Sequence, residues 1–311
     1  MHGTSSVDHS AGEGIEPIVN GMSVDVEDWF QVGAFENVIS RDDWDSISCR
    51  VESNVDRILD LFDEAGIKST FFTLGWMAER HPVMIRRIAD RGHELASHGY
   101  DHARVFNLDR KRFSEDILKA RQLIEDASGR RVTGYRAPSF SIDKRNPWAF
   151  EVLAEQGYAY SSSVAPIVHD HYGWSEAPRF AFNPVPGSQL VEVPVTTAML
   201  GNRRVAAGGG GFFRVLPYAF SRWAIRQVNS VEARPAMFYF HPWEVDPDQP
   251  RVANAPLRSK LRHYTNLKAM AGKLSRLADE FRWGRCDDVA RREALRAQPF
   301  DVTAPMKELA A

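Results

Sequence analysis

His98 and His102 stand four positions apart among small and polar residues, and a third histidine, His93, lies just upstream in the same stretch. That spacing brings two imidazoles onto one metal ion, whether the segment is a helical turn or a tight loop. A lone pair of this kind is a weak signal. Three further polar clusters accompany it: Asp25, Glu27 and Asp28; Arg136-Ala137-Pro138; and His241-Pro242-Trp243-Glu244. Carboxylates packed as closely as Asp25 to Asp28 repel one another, so a cation or an arginine must stand near them. Two neutral imidazoles and one carboxylate make a divalent-metal site with positions left open for water and substrate. Zinc is the default ion for such ligands, with cobalt, manganese or iron as alternatives. A second carboxylate, free of the metal, takes the proton from an attacking water, and Asp25 suits this as the first acidic residue off its strand. Arg136 pairs with that carboxylate and orients it. His241, at the end of an apolar run, protonates a leaving group. These parts together spell metal-assisted hydrolysis of an amide or ester.

The elements that must position these residues can be read from periodicity. Apolar, strand-like runs over 17–24, 67–74, 93–97, 132–135, 190–195 and 236–240 alternate with helical patterns. One helix is expected over 53–65, with Val55, Ile58, Leu59 and Phe62 on one face and Ser53 with Asp56 as its capping box. Others are expected from Pro82 to Gly92, over 109–128, from Pro147 to Gly157, over 217–228 and over 265–281. The alternation predicts parallel strands with crossover helices, and the polar clusters fall just after strands. Active sites form at that rim in an α/β barrel. An open doubly wound sheet would also place ligands there, but the dinucleotide fingerprint is missing after the first strand. The run Gly208-Gly209-Gly210-Gly211 has no trailing Lys-Ser/Thr, so it reads as a tight turn or a close backbone approach to a ligand rather than a phosphate loop.

Composition narrows the partners. The chain has 311 residues, 43% of them hydrophobic, enough for a sizeable core. A net charge of -2 leaves no basic footprint for nucleic acid. No apolar run is long enough to span a membrane, and residues 1–16 lack a secretory signal pattern, so a cytoplasmic location is expected. Cys49 and Cys286 are too few for a disulfide framework and receive no role. Residues 1–16 read as a disordered leader, 17–245 as the catalytic domain, 246–290 as an extension with an amphipathic helix packing on it, and 291–311 as a flexible tail.

Taken together, Ser23-Val24-Asp25-Val26-Glu27-Asp28, Thr70-Phe71-Phe72, His98-Gly99-Tyr100-Asp101-His102, Arg136-Ala137-Pro138 and His241-Pro242-Trp243 resemble the motifs of the polysaccharide deacetylases of the NodB-homology superfamily, carbohydrate esterase family four. The chain looks like the subgroup associated with exopolysaccharide biosynthesis, over roughly residues 17–283. The resemblance implies a distorted (β/α) barrel with fewer than eight strands and removal of N-acetyl groups from an acetylamino sugar. It implies Asp25 as base, His98 and His102 as metal ligands, Arg136 as the arginine that orients the base, and His241 as general acid. The third ligand stays open between Glu27 and Asp28, because the common motif has two adjacent aspartates where this chain has Asp25-Val26-Glu27-Asp28. A second departure is Ser161, where relatives often carry an aspartate that supports the catalytic histidine. Pro138, His171, Trp174 and Trp243 are expected on the substrate side.

Two other functions compete with a deacetylase acting on a polysaccharide or its oligosaccharide or lipid-linked precursor. One is a cyclic-amide or ureide hydrolase on the same fold. The other is a non-catalytic sugar-binding relative. A groove lined by aromatics such as Trp174, Phe212 and Phe213 would favour sugar; a small closed pocket would favour the ring amide.

Overall fold

The structure, a computed structural model, describes residues 17–168 and 172–303. The expected leader over 1–16, His171, and the end of the expected tail lie outside the described residues. Seven strands form the frame: β1 (Asn20–Val26), β2 (Thr70–Thr73), β3 (Glu94–Ser97), β4 (Gly134–Tyr135), β5 (Tyr160–Ser161), β6 (Val191–Glu192) and β7 (Met237–Phe240). They lie side by side in the order β7-β1-β2-β3-β4-β5-β6, every neighbouring pair parallel. The gap between β6 and β7 is not spanned by an assigned strand pair. Thr196, just beyond β6, bridges it: its N–H donates to the Met237 carbonyl at 3.2 Å, and its Oγ1 accepts from the Met237 N–H at 2.5 Å. Gly208 adds its carbonyl as acceptor for the Tyr239 N–H at 2.8 Å. The fold is therefore the distorted α/β barrel expected, with fewer than eight strands.

Strand parity separates two cores, because successive side chains point to opposite faces. Phe72, Ala96, Tyr160, Val191, Val193 and Met237 fill the barrel interior. Met22, Val24, Val26, Phe71, Leu95, Tyr135, Phe238 and Phe240 point outward into the main core. Helices cover that outer face. Helix α1 (Val51–Glu64) buries Val55, Ile58, Leu59 and Phe62 as its periodicity predicts. Helix Arg110–Ser128 buries Phe113, Ile117, Ala120 and Ile124, with Asp109 capping its start and Gly129 its end.

Two local expectations are revised. Ser53 does not cap α1; the helix starts two residues earlier, and Asp28 supplies its N-terminal acceptor from across the chain. Ser53 Oγ instead donates to the Arg50 carbonyl. Residues 291–303 are not a free tail, since helix Cys286–Ala294 and strand Gln298–Pro299 occupy much of this stretch. That strand pairs with Phe182–Asn183, which lies antiparallel to β6. Trp283–Gly284 pairs with the start of β1. No helix among the described residues is long and apolar enough to cross a membrane.

Candidate active site

Parity also places the polar residues. Asp25 shares the inward face of β1 with Ser23, and Glu27 continues that face just past the strand. His98 follows β3 in the phase of Ala96, Arg136 follows β4 in the phase of Gly134, and His241 follows β7 in the phase of Tyr239. All four strands are parallel, so their C-terminal ends deliver these side chains to one rim.

Asp25 and Arg136 form a buried ion pair, Arg136 Nη1 to Asp25 Oδ1 at 2.6 Å. The same Nη1 donates to Ser23 Oγ at 2.8 Å, Nε donates to the Ser162 carbonyl at 3.0 Å, and Nη2 donates to Ser162 Oγ at 3.0 Å. The guanidinium also lies 4.0 Å from the Phe72 ring centroid. Arg136 is thus fixed from every side, and it fixes Asp25 in turn.

Glu27 sits between two histidines. Its Oε1 is 3.1 Å from His241 Nε2, and its Oε2 is 3.0 Å from His102 Nε2. Burial pushes the Glu27 carboxyl up, but the charges of His102 and His241 outweigh this and hold it below the usual carboxylate range. Oε2 is buried yet has no aligned hydrogen bond, an orphaned acceptor aimed at His102. His102 has φ 60, a left-handed conformation uncommon outside glycine. Arg41 holds that turn by donating to the Asp101 and His102 carbonyls.

His98 Nδ1 lies 2.8 Å from the Arg136 carbonyl. Burial, then the neighbouring His102, depress its pKa to about 3, so the ring is neutral. A neutral ring beside a carbonyl carries its proton on Nδ1, which leaves Nε2 as a free lone pair. The His98 and His102 ring centroids are 5.5 Å apart. Among the described residues no three His, Cys, Asp or Glu side chains are closed around a metal-sized space. The donor chemistry nevertheless fits a divalent ion: an ionised carboxylate with an orphaned oxygen, a neutral imidazole with a free nitrogen, and a second imidazole beside them.

Asp28 is engaged elsewhere. Its Oδ2 accepts from the N–H groups of Arg50 and Val51 at 2.5 and 2.9 Å, and its Oδ1 accepts from Trp29 N–H at 2.7 Å. Of the two acidic candidates, Glu27 is the one facing the histidines.

His241 is supported differently from the expectation at Ser161. Ser161 Oγ donates to Ser163 Oγ and does not approach the imidazole. Glu244 stands there instead, with Oε1 2.7 Å from His241 Nδ1. Burial pulls the His241 pKa down, but Glu27, then Glu244 and Asp25, outweigh it and raise it to about 9. Sequence reasoning placed Glu244 in the His241 cluster but gave it no role, although its place three residues after His241 is a capping-box spacing that could have marked it.

The expected substrate-side residues divide. Pro138 follows Arg136 at the rim, in a turn where Ser139 and Phe140 both have positive φ. Trp243 is buried and stacks on His241 and on His263, with centroids 5.2 and 4.1 Å away, so it braces the histidine. Trp174 packs on Phe300 in the core, and Phe213 packs on Phe238. Neither lines a groove. Phe212, 41% exposed, does. It borders a shallow recess, no larger than a water molecule, with Phe140, Tyr172 and Tyr239. That recess adjoins the site, because Tyr239 lies 5.7 Å from the His241 ring and 5.5 Å from the Arg136 guanidinium carbon.

Residues 39–161 match the family Polysaccharide deacetylase, and residues 162–291 match a Domain of unknown function (DUF3473). The chain is 29% identical over 148 residues to a Helicobacter pylori peptidoglycan deacetylase, covering 47% of this chain and 49% of that one. It therefore spans about half the length of that relative. A putative polysaccharide deacetylase from Mycobacterium smegmatis has a similar fold, at 19% identity and a TM-score of 0.59 over 94% of this chain and 96% of that one. The Puue allantoinase fold is also similar, at 18% identity and a TM-score of 0.53, covering 78% and 72% of the two chains. The two matched segments are not separate bodies: the first carries β2 to β5, the second carries β6, β7 and His241, and β1 precedes both.

Proposed function

We propose that this chain, whose residues 39–161 match the polysaccharide deacetylase family, is a divalent-metal-dependent hydrolase that removes N-acetyl groups from an acetylamino sugar in a polysaccharide or its precursor. The observation that carries this reading is the division of labour along one strand: Asp25 goes to Arg136 and Glu27, two residues on, goes to histidines. His98, His102 and Glu27 would hold the ion, zinc by preference for such donors. When bound, it would polarise the acetamide carbonyl and acidify a water.

The remaining work belongs to the chain's own side chains. Asp25, held by Arg136, takes the proton from the attacking water. His241 gives a proton from Nε2 to the departing amine nitrogen. The exposed ring of Phe212, beside the recess, offers an apolar surface to the ring face of the sugar. A peptidoglycan or other N-acetylated glycan fits these requirements, with exopolysaccharide as the expected setting and the cytoplasm as the expected compartment.

The test is acetate release from a panel of N-acetylated oligosaccharides. Metal-stripped protein would be reconstituted with zinc, cobalt or manganese and compared with Asp25→Asn and His98→Ala. Metal-dependent release that both variants abolish is expected. No release from any sugar by reconstituted protein would overturn the reading.

A further inference from the structure

The second matched segment contributes a group that the proposed chemistry has not yet used. Glu244 is fully buried. Its Oε1 takes His241 Nδ1 at 2.7 Å and the His241 N–H at 3.1 Å. Its Oε2 takes Arg214 Nε at 2.6 Å. Arg214 is itself buried, and its Nη1 donates to the His263 and Thr265 carbonyls at 2.9 and 2.7 Å. Its guanidinium also lies 5.2 Å from the Trp243 ring, on which His241 stacks.

The glycine run explains how this cluster fits. Gly210 opens helix Gly210–Val215, and Arg214 stands one turn further along the same face. A Cβ at Gly210 would lie 2.3 Å from Glu244 Oε1, so only glycine leaves room for the carboxylate. A Cβ at Gly208 would lie 2.3 Å from the Met237 carbonyl. The run presses this backbone against β7 and against Glu244, and one helix then supplies both the space and the counter-charge.

We infer that Glu244, gripped by Arg214 and admitted by Gly210, is the positioning residue for His241 and takes the place of the carboxylate that Ser161 does not supply. This rests on the deacetylase reading for its catalytic consequence, but not for its geometry. Glu244 accepts the Nδ1 proton and so aims Nε2 at the reaction centre. As the C–N bond breaks, its electron pair goes to the amine nitrogen, which takes the Nε2 proton, while the acyl carbon keeps the oxygen of the attacking water. A leaving group that needs no proton makes no demand on this arrangement.

The experiment compares an N-acetylated oligosaccharide with para-nitrophenyl acetate, whose nitrophenolate departs unprotonated. The variants are Glu244→Gln with Arg214→Met, which removes the pair without stranding a charge, and Gly210→Ala, which keeps both charges but displaces Glu244. Both variants should lose about 100-fold in kcat on the amide, keep KM, and lose at least about tenfold less on the ester. Equal losses on both substrates would reduce the cluster to a structural support and overturn the inference. Nitrogen NMR of His241 in the wild-type protein gives an answer independent of activity and of variant folding. Nδ1 should carry its proton in the resting protein; an unprotonated Nδ1 overturns the inference. Wild-type protein with the Nδ1 proton in place but no acetate release would sink the deacetylase reading alone.

Discussion

Replacing Asp28 with alanine should cost stability and spare the metal. The carboxylate accepts from Trp29, Arg50 and Val51 N–H groups at 2.7, 2.5 and 2.9 Å, tying the end of β1 to the start of α1. Hydrogen bonds to a charged acceptor contribute about 1.5–3 kcal/mol each. Simple addition overshoots, because Asp28 is itself buried: burial, with Asp246 adding to it, raises its pKa, so keeping its charge out of water offsets part of the gain. Loss of an N-cap acceptor alone costs about 1–2 kcal/mol, and two further buried N–H groups are orphaned, which sets the expected net loss near 3 kcal/mol. Asp28→Asn keeps one acceptor oxygen and should lose about 1 kcal/mol. The assay is urea unfolding of both variants beside Glu27→Ala, with bound zinc per chain measured on the same samples. Glu27→Ala should lose zinc, which Asp28→Ala keeps. Zinc lost from Asp28→Ala at an unchanged unfolding midpoint would refute the reasoning and return Asp28 to the ligand set.

Further outcomes can be checked by the same unfolding measurement. Arg136→Met leaves the buried Asp25 carboxylate without its partner and should cost about 3–5 kcal/mol, most of it recovered when Asp25→Asn is added. Gly134→Ala places a Cβ 2.3 Å from the Tyr160 ring. Tyr160 is held through its hydroxyl by Glu94, so the clash should destabilise by about 2–3 kcal/mol. His93 is buried, and burial, then Lys68, lower its pKa from 6.5 to about 4. Between those values the unfolded chain binds a proton that the folded chain refuses. Stability should therefore fall as pH drops from 6.5 toward 4, by about 3 kcal/mol from this group, and His93→Gln should remove that share of the slope.

Much of this was legible in the sequence because the signals are local. Strand parity and the 3.6-residue period fix which side chains face inward, so the positions of Asp25, His98, Arg136 and His241 at strand ends follow from short windows of chain. What could not be read locally depended on partners far away. Asp28 reaches Val51 from 23 positions off, which no window around Ser53 could reveal. The spacing of Glu244 from His241 is local, but its second partner, Arg214, lies 30 positions upstream and could not be read from it. Trp174 looked like a groove residue because aromatics in a Pro-rich loop are ambiguous; its partner Phe300 belongs to a segment read as tail. The glycine run reads locally as a tight turn or a close approach to a ligand; its backbone instead presses on β7 and on Glu244, partners that only the fold supplies.

The pairing of Asn20 with Arg282, across 262 positions, carries a consequence for biosynthesis. The first strand leaves the ribosome long before the segment that closes its lower end has been made. Phe182–Asn183 likewise waits for Gln298–Pro299. Throughout elongation the nascent sheet presents uncovered strand edges, the template on which chains join one another. Those edges stay open until translation passes these residues, and slowing the last stretch would lengthen that exposure.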